Sequence, residues 1–170
     1  MSLAEAAAKH LSAYQDTVST GKELKFAPKE ELDGKIRKLS DGVASFYLPK
    51  AVFFGMPEFT VFDTPTDVAD TLNHVSGLYF TKGLGFDLRP KSHRIEVVCE
   101  AERGVGTAAC FVKWTYHPSE KSGFQPWDVD ILYGFRKRAD GTAGWEYCVI
   151  DGELTEMLKR VPDLFDDGKK

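Results

Sequence analysis

The sequence has few cysteines and no pattern that pairs them. Its 170 residues include three, Cys99, Cys110 and Cys148, widely spaced in apolar, strand-like stretches without a C-x-x-C pair. An odd number does not suit a disulfide framework, and a cysteine in apolar surroundings behaves as a small hydrophobic side chain. We therefore expect three buried, reduced thiols in an intracellular protein.

Long apolar runs and an excess of one charge are also missing. No apolar stretch approaches the roughly 20 residues of a membrane-spanning helix. The start of the chain, MSLAEAAAKHLSAY, lacks the charged and apolar segments of a signal peptide. The formal net charge is -4, with both signs interspersed, which gives no electrostatic reason to bind nucleic acid or an anionic membrane. We expect a cytoplasmic protein that binds neither.

The common catalytic and metal-binding motifs are absent from the sequence. It has no G-x-S-x-G elbow, no P-loop and no G-x-G-x-x-G that follows a strand. The four histidines, His10, His74, His93 and His117, are scattered without the spacing of metal ligands. We therefore expect no metal and no cofactor.

The length suits one domain. We expect residues 1–170 to form it, with a core over about 3–155 and a tail over 156–170. Apolar residues recur at spacings of three and four from Leu3 to Val18 and from Leu32 to Phe46, which predicts two helices.

A third helix is predicted after residue 64. Thr64, Pro65 and Asp67 resemble an N-cap, a proline at the first helical position and an acidic residue at the third. Lys82 and Gly83 are a plausible C-terminal signal. The apolar stripe of this helix consists of Val68, Leu72, Val75 and Tyr79.

The rest of the chain predicts strands. Two short β-prone runs, AVFFG and EFTVF, are separated by Met56 and Pro57, which predicts a bent strand or a hairpin. Four later segments predict an antiparallel meander over 92–102, 106–117, 126–138 and 144–151. Helices segregated from an antiparallel sheet indicate an α+β fold, with a curved sheet wrapped around the N-terminal helices to leave a conical interior.

The last two strands carry the strongest likeness to a known family. In ILYGFRKRADGTAGWEYCVID a strand runs into basic residues and an Asp-Gly turn, and a tryptophan-led strand then ends in aspartate. The chain resembles the nuclear transport factor 2-like superfamily, also called the SnoaL-like or cystatin-like cone, over about residues 1–155. YLPKAVFF resembles the first strand of that family. The resemblance implies a pocket for a small apolar or aromatic molecule, no metal, and a homodimer through the outer face of the sheet.

Two functions follow from the resemblance, because this fold hosts many activities. One is cofactor-independent acid/base isomerisation, dehydration or cyclisation of an aromatic, polyketide-like or terpenoid-like metabolite. The alternative is a non-catalytic binding or dimerisation module whose pocket is filled by its own side chains, which the twelve phenylalanines make credible. An open pocket with a raised carboxyl pKa favours the enzyme, and a filled cone with ordinary pKa values favours the module.

The strand over 126–136 has two possible orientations, because the long loop before it does not determine the register. One orientation turns Asp128, Asp130 and Leu132 inward. The other turns the alternating apolar residues inward: Trp127, Val129, Ile131 and Tyr133. Periodicity favours the second. The resemblance, to scytalone dehydratase in particular, favours an inward Asp130, with Trp145, Tyr147 and Val149 on the outer face.

With that resemblance, we expect Asp130 to act as the general base in an apolar cavity. Tyr14, on the N-terminal helix where such enzymes can carry a tyrosine, or His74, at the edge of the third helix's apolar stripe, would assist it. Further pocket residues are expected to be Phe54, His93, Val112, Trp114, Tyr116, Asp128, Leu132, Glu146 and Ile150.

Overall fold

The computed structural model describes residues 1–55 and 58–166. Met56 and Pro57, at the predicted bend between the first two strands, lie outside the described residues. The α-helices are α1 (Leu3–Ser19), α2 (Lys29–Ala44), α3 (Pro65–Thr81) and α4 (Asp151–Arg160). In the described ranges, no helix combines the length and the apolar character needed to cross a membrane.

Two helices, α1 and α3, begin at side-chain caps. In α3 the Thr64 hydroxyl accepts from the Asp67 amide while the Asp67 carboxylate accepts from the Thr64 amide, with Pro65 at the first helical position. The predicted capping box is therefore confirmed. Helix α1 begins with the same reciprocal arrangement, between Ser2 and Glu5. The break between α1 and α2 forms a short 3-10 helix over Thr20–Phe26.

Within the described residues, six strands form one curved sheet in the order β2-β1-β6-β5-β4-β3. They are β1 (Tyr47–Gly55), β2 (Glu58–Phe62), β3 (Leu88–Glu100), β4 (Gly106–Tyr116), β5 (Trp127–Lys137) and β6 (Ala143–Val149). The hairpin of β1 and β2 and the antiparallel meander from β3 to β6 are confirmed. The expectation of a fully antiparallel sheet is wrong for one pair, because β1 joins the meander beside β6 in parallel.

The helices cover the concave face of this sheet. Helix α1 lies against β3 and β4, and α4 contacts β5 and β1. The packed part of the chain extends beyond the predicted limit near residue 155, since Met157, Val161 and Leu164 are all buried. Of the cysteines, Cys110 and Cys148 are buried as expected. Cys99 is exposed, because it lies near the end of the edge strand β3.

Strand β5 places its apolar side inward, so the expectation of an inward Asp130 is wrong. The residues that face the interior are Trp127, Val129, Ile131, Tyr133 and Phe135, all buried. Asp128 and Asp130 are exposed on the outer face. There Asp130 pairs with Lys113 and Asp128 with Thr115, each directly across from its partner on β4. The opposite orientation would expose five large apolar side chains and bury two carboxylates, and both changes cost free energy.

A bulge in β6 reverses the predicted orientation of Trp145. The pairing shifts between Gly134 and Phe135, so that Gly134 lies opposite Tyr147 and Phe135 lies opposite Trp145. The extra residue on β6 is Glu146, and alternation restarts on either side of it. Trp145 therefore lies fully buried in the interior, while Tyr147 and Val149 stay on the outer face with Gly134 and Leu132.

Gly134 gives the first prediction, because the Tyr147 ring lies across it. A Cβ at Gly134 would lie 2.0 Å from Tyr147 Cε1, so the ring must move aside. We expect Gly134→Ala to lower the free energy of unfolding by about 1–3 kcal/mol, measured by urea denaturation. The matched control is Gly77→Ala in α3, where a Cβ meets nothing within 4 Å and helix propensity should add about 0.5–1 kcal/mol of stability. Equal stability of Gly134→Ala and wild type would contradict the contact.

Candidate functional site

Aromatic rings fill the inside of the cone. The Tyr14 hydroxyl lies 3.2 Å from the Tyr47 hydroxyl, and the Tyr14 ring meets Tyr133, Trp145 and Trp114 edge-on at centroid distances of 5.1, 5.5 and 6.3 Å. All five residues are buried. They occupy the interior between helix α1 and the sheet. Burial also raises the pKa of the Tyr14 hydroxyl, which therefore stays neutral.

Helix α4 directs one carboxyl group into this interior. The Tyr79 hydroxyl donates a hydrogen bond to Glu153 Oε1 at 3.3 Å. Burial raises the pKa of Glu153 from 4.5 to about 7, against the opposing effect of that hydrogen bond. The charge of Glu153 in turn helps to raise the pKa of Tyr116 and of Cys148, after the larger effect of their own burial. Since the residue is partly exposed, Glu153 lies at the boundary of the interior and can exist in both protonation states near neutral pH.

An open cleft lies at the mouth of the cone; we call it the mouth cleft. It is formed by the 3-10 helix over Thr20–Phe26, the segment 84–89 and the loop 117–126, and its volume is about 840 Å³. This falls in the size range of small-molecule sites. Phe26, Phe86 and Phe124 line it. The Phe26 side chain is 72% exposed, so an apolar ring is available to a solute.

The rings of the mouth cleft are supported from behind. Phe86 stacks on Tyr79 at a centroid distance of 6.5 Å, and Phe124 packs edge-on against Trp127 at 6.4 Å. Because Tyr79 is also the donor to Glu153, it separates the mouth cleft from that carboxyl. A Cβ at Gly21 would lie 2.4 Å from the Phe86 ring. Glycine at this position therefore allows the 3-10 helix to approach Phe86 and close one side of the cleft.

No family model matches the chain, and no curated protein matches it. Many solved structures match in shape, including the following three. A nuclear transport factor 2-like protein of unknown function from Pseudomonas putida has a TM-score of 0.56 at 9% identity, covering 86% of this chain and 83% of its own. A candidate polyketide cyclase from Xanthomonas campestris has a TM-score of 0.52 at 11% identity, covering 94% of this chain and 99% of its own. A nuclear transport factor 2-like protein of unknown function from Shewanella oneidensis has a TM-score of 0.51 at 11% identity, covering 84% of this chain and 93% of its own.

The chain has the nuclear transport factor 2-like fold. The resemblance seen in its last two strands is confirmed, as is the α+β cone. At these identities the likeness shows the fold alone. The roles of its side chains therefore follow only from the geometry of this chain.

The predicted site residues do not form one site inside the cone, although His93, Val112, Asp130 and Leu132 line one depression of about 380 Å³ in the sheet. Tyr14, Val112, Trp114 and Tyr116 face the interior, where they are packed against other rings. His74 and His93 are exposed, on α3 and on the edge strand β3. The remaining residues lie on the outer face or near the start of α4: Phe54, Asp128, Asp130, Leu132, Glu146 and Ile150.

Asp130 itself gives the second prediction. Its carboxylate lies 2.8 Å from Lys113 Nζ, and its side chain is 75% exposed. An ion pair this accessible contributes little, so Asp130→Asn should change the free energy of unfolding by less than about 1 kcal/mol. Urea denaturation measures this change. A loss of several kcal/mol would return Asp130 to a buried site.

Sequence reasoning missed two features of the site. Glu153 had a usable signal, because it lies four residues before the buried Met157 and therefore on the same face of α4. The mouth cleft had none, because its walls come from three distant connecting segments. His10 also lies deeper than the sequence suggests: burial lowers its pKa to about 4, and its ring lies within hydrogen-bond distance of the Phe46 carbonyl oxygen.

The described residues hold no group of three or more histidine, cysteine, aspartate or glutamate side chains placed to hold a metal ion.

Proposed function

We propose that the protein binds a small aromatic molecule in the mouth cleft. The observation that carries this proposal is the contrast between the two sides of one aromatic wall. Behind Tyr79 and Trp127 the cone is filled by its own rings, whereas in front of them an 840 Å³ cleft presents Phe26, Phe86 and Phe124. Small-molecule sites combine aromatic walls with polar groups that orient the ligand, and this cleft has both.

The physical basis is stacking on preformed rings. Phe86 and Phe124 are held by the rings behind them, so a flat ligand orders few side chains when it binds. Phe26 is exposed at the rim and adds one further ring contact. Each aromatic pair of this kind contributes about 0.5–1.5 kcal/mol beyond the area it buries.

The test is a fluorescence titration with N-phenyl-1-naphthylamine, an uncharged aromatic probe. Phe26→Ala should weaken binding about fivefold, from the loss of one ring contact. The matched control is Phe59→Ala, which removes a ring that is 63% exposed on the outer face of β2 and should leave the affinity unchanged. Equal affinities of both variants and wild type would place the probe elsewhere and reject the cleft.

A second candidate function is cofactor-independent acid/base catalysis, and Glu153 favours it. A carboxyl with a pKa of about 7 can both accept and donate a proton at neutral pH, and the Tyr79 hydroxyl that bonds to it would pass that proton between Glu153 and a substrate in the mouth cleft. The reaction classes are isomerisation, dehydration or cyclisation of an aromatic, polyketide-like or terpenoid-like metabolite. Turnover of such compounds should be lost in Glu153→Gln and kept in Glu156→Gln, since the Glu156 carboxylate pairs with Lys159 and Arg160 on the same helix. Turnover that survives Glu153→Gln would reject this role.

We also propose a homodimer through the outer face of the sheet. Two neighbouring rows of residues cross paired strands there and form what we call the outer band. One row consists of Phe59, Phe54, Val149, Leu132 and Phe111, and the other of Val61, Val52, Tyr147, Gly134 and Ala109. Lys113 and Asp130 border the band with both signs of charge, so a second copy turned by 180° can meet opposite charges.

Sedimentation measures this association. Phe59→Asp should give a monomer, because it introduces charge into the outer band. Phe26→Asp, at a similarly exposed ring outside the band, should leave the dimer intact. A monomeric wild type at micromolar concentration would reject the proposal.

A further inference from the structure

The mouth cleft has a charge opposite to that of the whole protein. The chain carries a net charge of -4. The charged residues that line the cleft are Lys22, Lys25, Arg89 and Lys121 against Asp87 and Glu120. The excess at this site is therefore cationic, beside the three phenylalanine rings.

One of the two acidic residues is already neutralised within the protein. Asp87 is buried, and the Arg89 guanidinium donates hydrogen bonds to both of its carboxylate oxygens, from Nε at 2.9 Å and from a terminal nitrogen at 2.8 Å. Arg89 nevertheless keeps a side chain that is 47% exposed. The charge of Asp87 is thus compensated inside the wall and does not offset the lysines in front of it.

Two of the cations, Lys25 and Arg89, lie near the same residue of the cleft, His117. Burial lowers the pKa of His117, and the charges of Arg89 and Lys25 lower it further, against the opposing effect of Asp87. The Lys25 ammonium lies 5.0 Å from the centre of the Phe26 ring. A positive group and an exposed ring therefore lie side by side on one edge, so one ligand can contact both.

We propose that the ligand of the mouth cleft is an aromatic anion, a flat ring system that carries a carboxylate or sulfonate group. This inference rests on the proposed function, since it assigns a charge to the molecule that the cleft binds. The ring of the ligand lies against Phe86 and Phe124, and its acidic group meets Lys25 and Lys121. A charge-assisted hydrogen bond at the edge of an apolar surface is stronger than one in open water, so the acid adds both affinity and orientation.

The test compares two probes that share a ring system. The anion is 8-anilino-1-naphthalenesulfonate, and the neutral partner is N-phenyl-1-naphthylamine, which lacks the sulfonate. Each is titrated against wild type, the double variant Lys25→Gln/Lys121→Gln and the control Lys9→Gln/Lys38→Gln. The control lysines are exposed on α1 and α2. Their substitution removes the same total charge as the cleft variant, but away from the cleft.

We expect the anion to bind wild type more tightly than the neutral probe. The cleft variant should bind the anion about tenfold more weakly, which corresponds to about 1.4 kcal/mol, and should bind the neutral probe with unchanged affinity. The control should change neither by more than about twofold, apart from the general effect of net charge. Raising the salt concentration should weaken only the anion.

Two other outcomes distinguish a failure of the anionic-ligand inference from a failure of the proposed aromatic site. If both probes bind with equal affinity, and that affinity falls in Phe26→Ala but not in the Lys25/Lys121 variant, the mouth cleft is supported as an aromatic site and the anionic ligand is rejected. If neither probe depends on Phe26 or on the two lysines, both the ligand class and the mouth cleft are rejected.

Discussion

Replacing Trp145 with alanine should lower the free energy of unfolding by about 3–5 kcal/mol. Trp145 is fully buried in the cone, and its ring centroid lies 4.5 Å from that of His10 and 5.1 Å from that of Tyr133. The variant loses the apolar transfer energy of the indole and leaves a cavity that the surrounding rings cannot close. Urea denaturation measures the loss. Phe26→Ala, at an exposed ring, should stay within about 0.5 kcal/mol of wild type.

The same variant tests whether the cone is filled. An apolar cavity of this kind stays dry and can bind a small aromatic molecule. We therefore expect added indole to raise the unfolding midpoint of Trp145→Ala and to leave wild type unchanged, since a ligand that binds only the folded state stabilises it. Equal stabilisation of wild type through the interior would mean that the native cone is open. The side-chain-filled interior would then be wrong.

The regular elements of the fold could be predicted because their signals are local. Spacings of three and four residues mark α1 and α2, and the reciprocal hydrogen bonds of Thr64 and Asp67 mark the start of α3. In β5 the alternation of apolar and acidic residues also pointed to the right orientation. The error at Asp130 came from weighting a family resemblance above periodicity. Within a fold shared at about 10% identity, a residue's role does not carry over with its position.

The interior and the mouth cleft could not be read from such patterns. A bulge at Glu146 breaks the alternation of β6, so Trp145 and Tyr147 face opposite sides although they are two residues apart. A bulge depends on how two strands pair and leaves little trace in one of them. The mouth cleft depends on three connecting segments that meet only when the sheet curves. Its free charges follow from one ion pair within the wall, since the bonds from Arg89 to Asp87 leave three lysines against Glu120.

Glu153 should make the folded protein less stable as the pH rises from about 4.5 to 7. The pKa of its carboxyl is about 7 in the folded state and ordinarily 4.5. Between these values the unfolded chain has released the proton while the folded chain keeps it, so the unfolded state binds fewer protons and the free energy of unfolding falls. At 1.36 kcal/mol per unit, the full effect is about 3 kcal/mol, and it is complete above about pH 8.

Glu153→Gln removes this titration and keeps an acceptor for the Tyr79 hydroxyl. Urea denaturation at a series of pH values should therefore show the variant gaining about 3 kcal/mol over wild type between pH 4.5 and 8, with little difference at pH 4. Glu156→Gln is the control on the same helix. Hydrogen bonds from Arg160 and Lys159 lower the pKa of Glu156, so its carboxylate stabilises the fold above the ordinary pKa and its removal acts in the opposite direction. Parallel pH profiles for wild type and Glu153→Gln would mean that the Glu153 carboxyl is hydrated, and the case for acid/base chemistry at this position would fail with it.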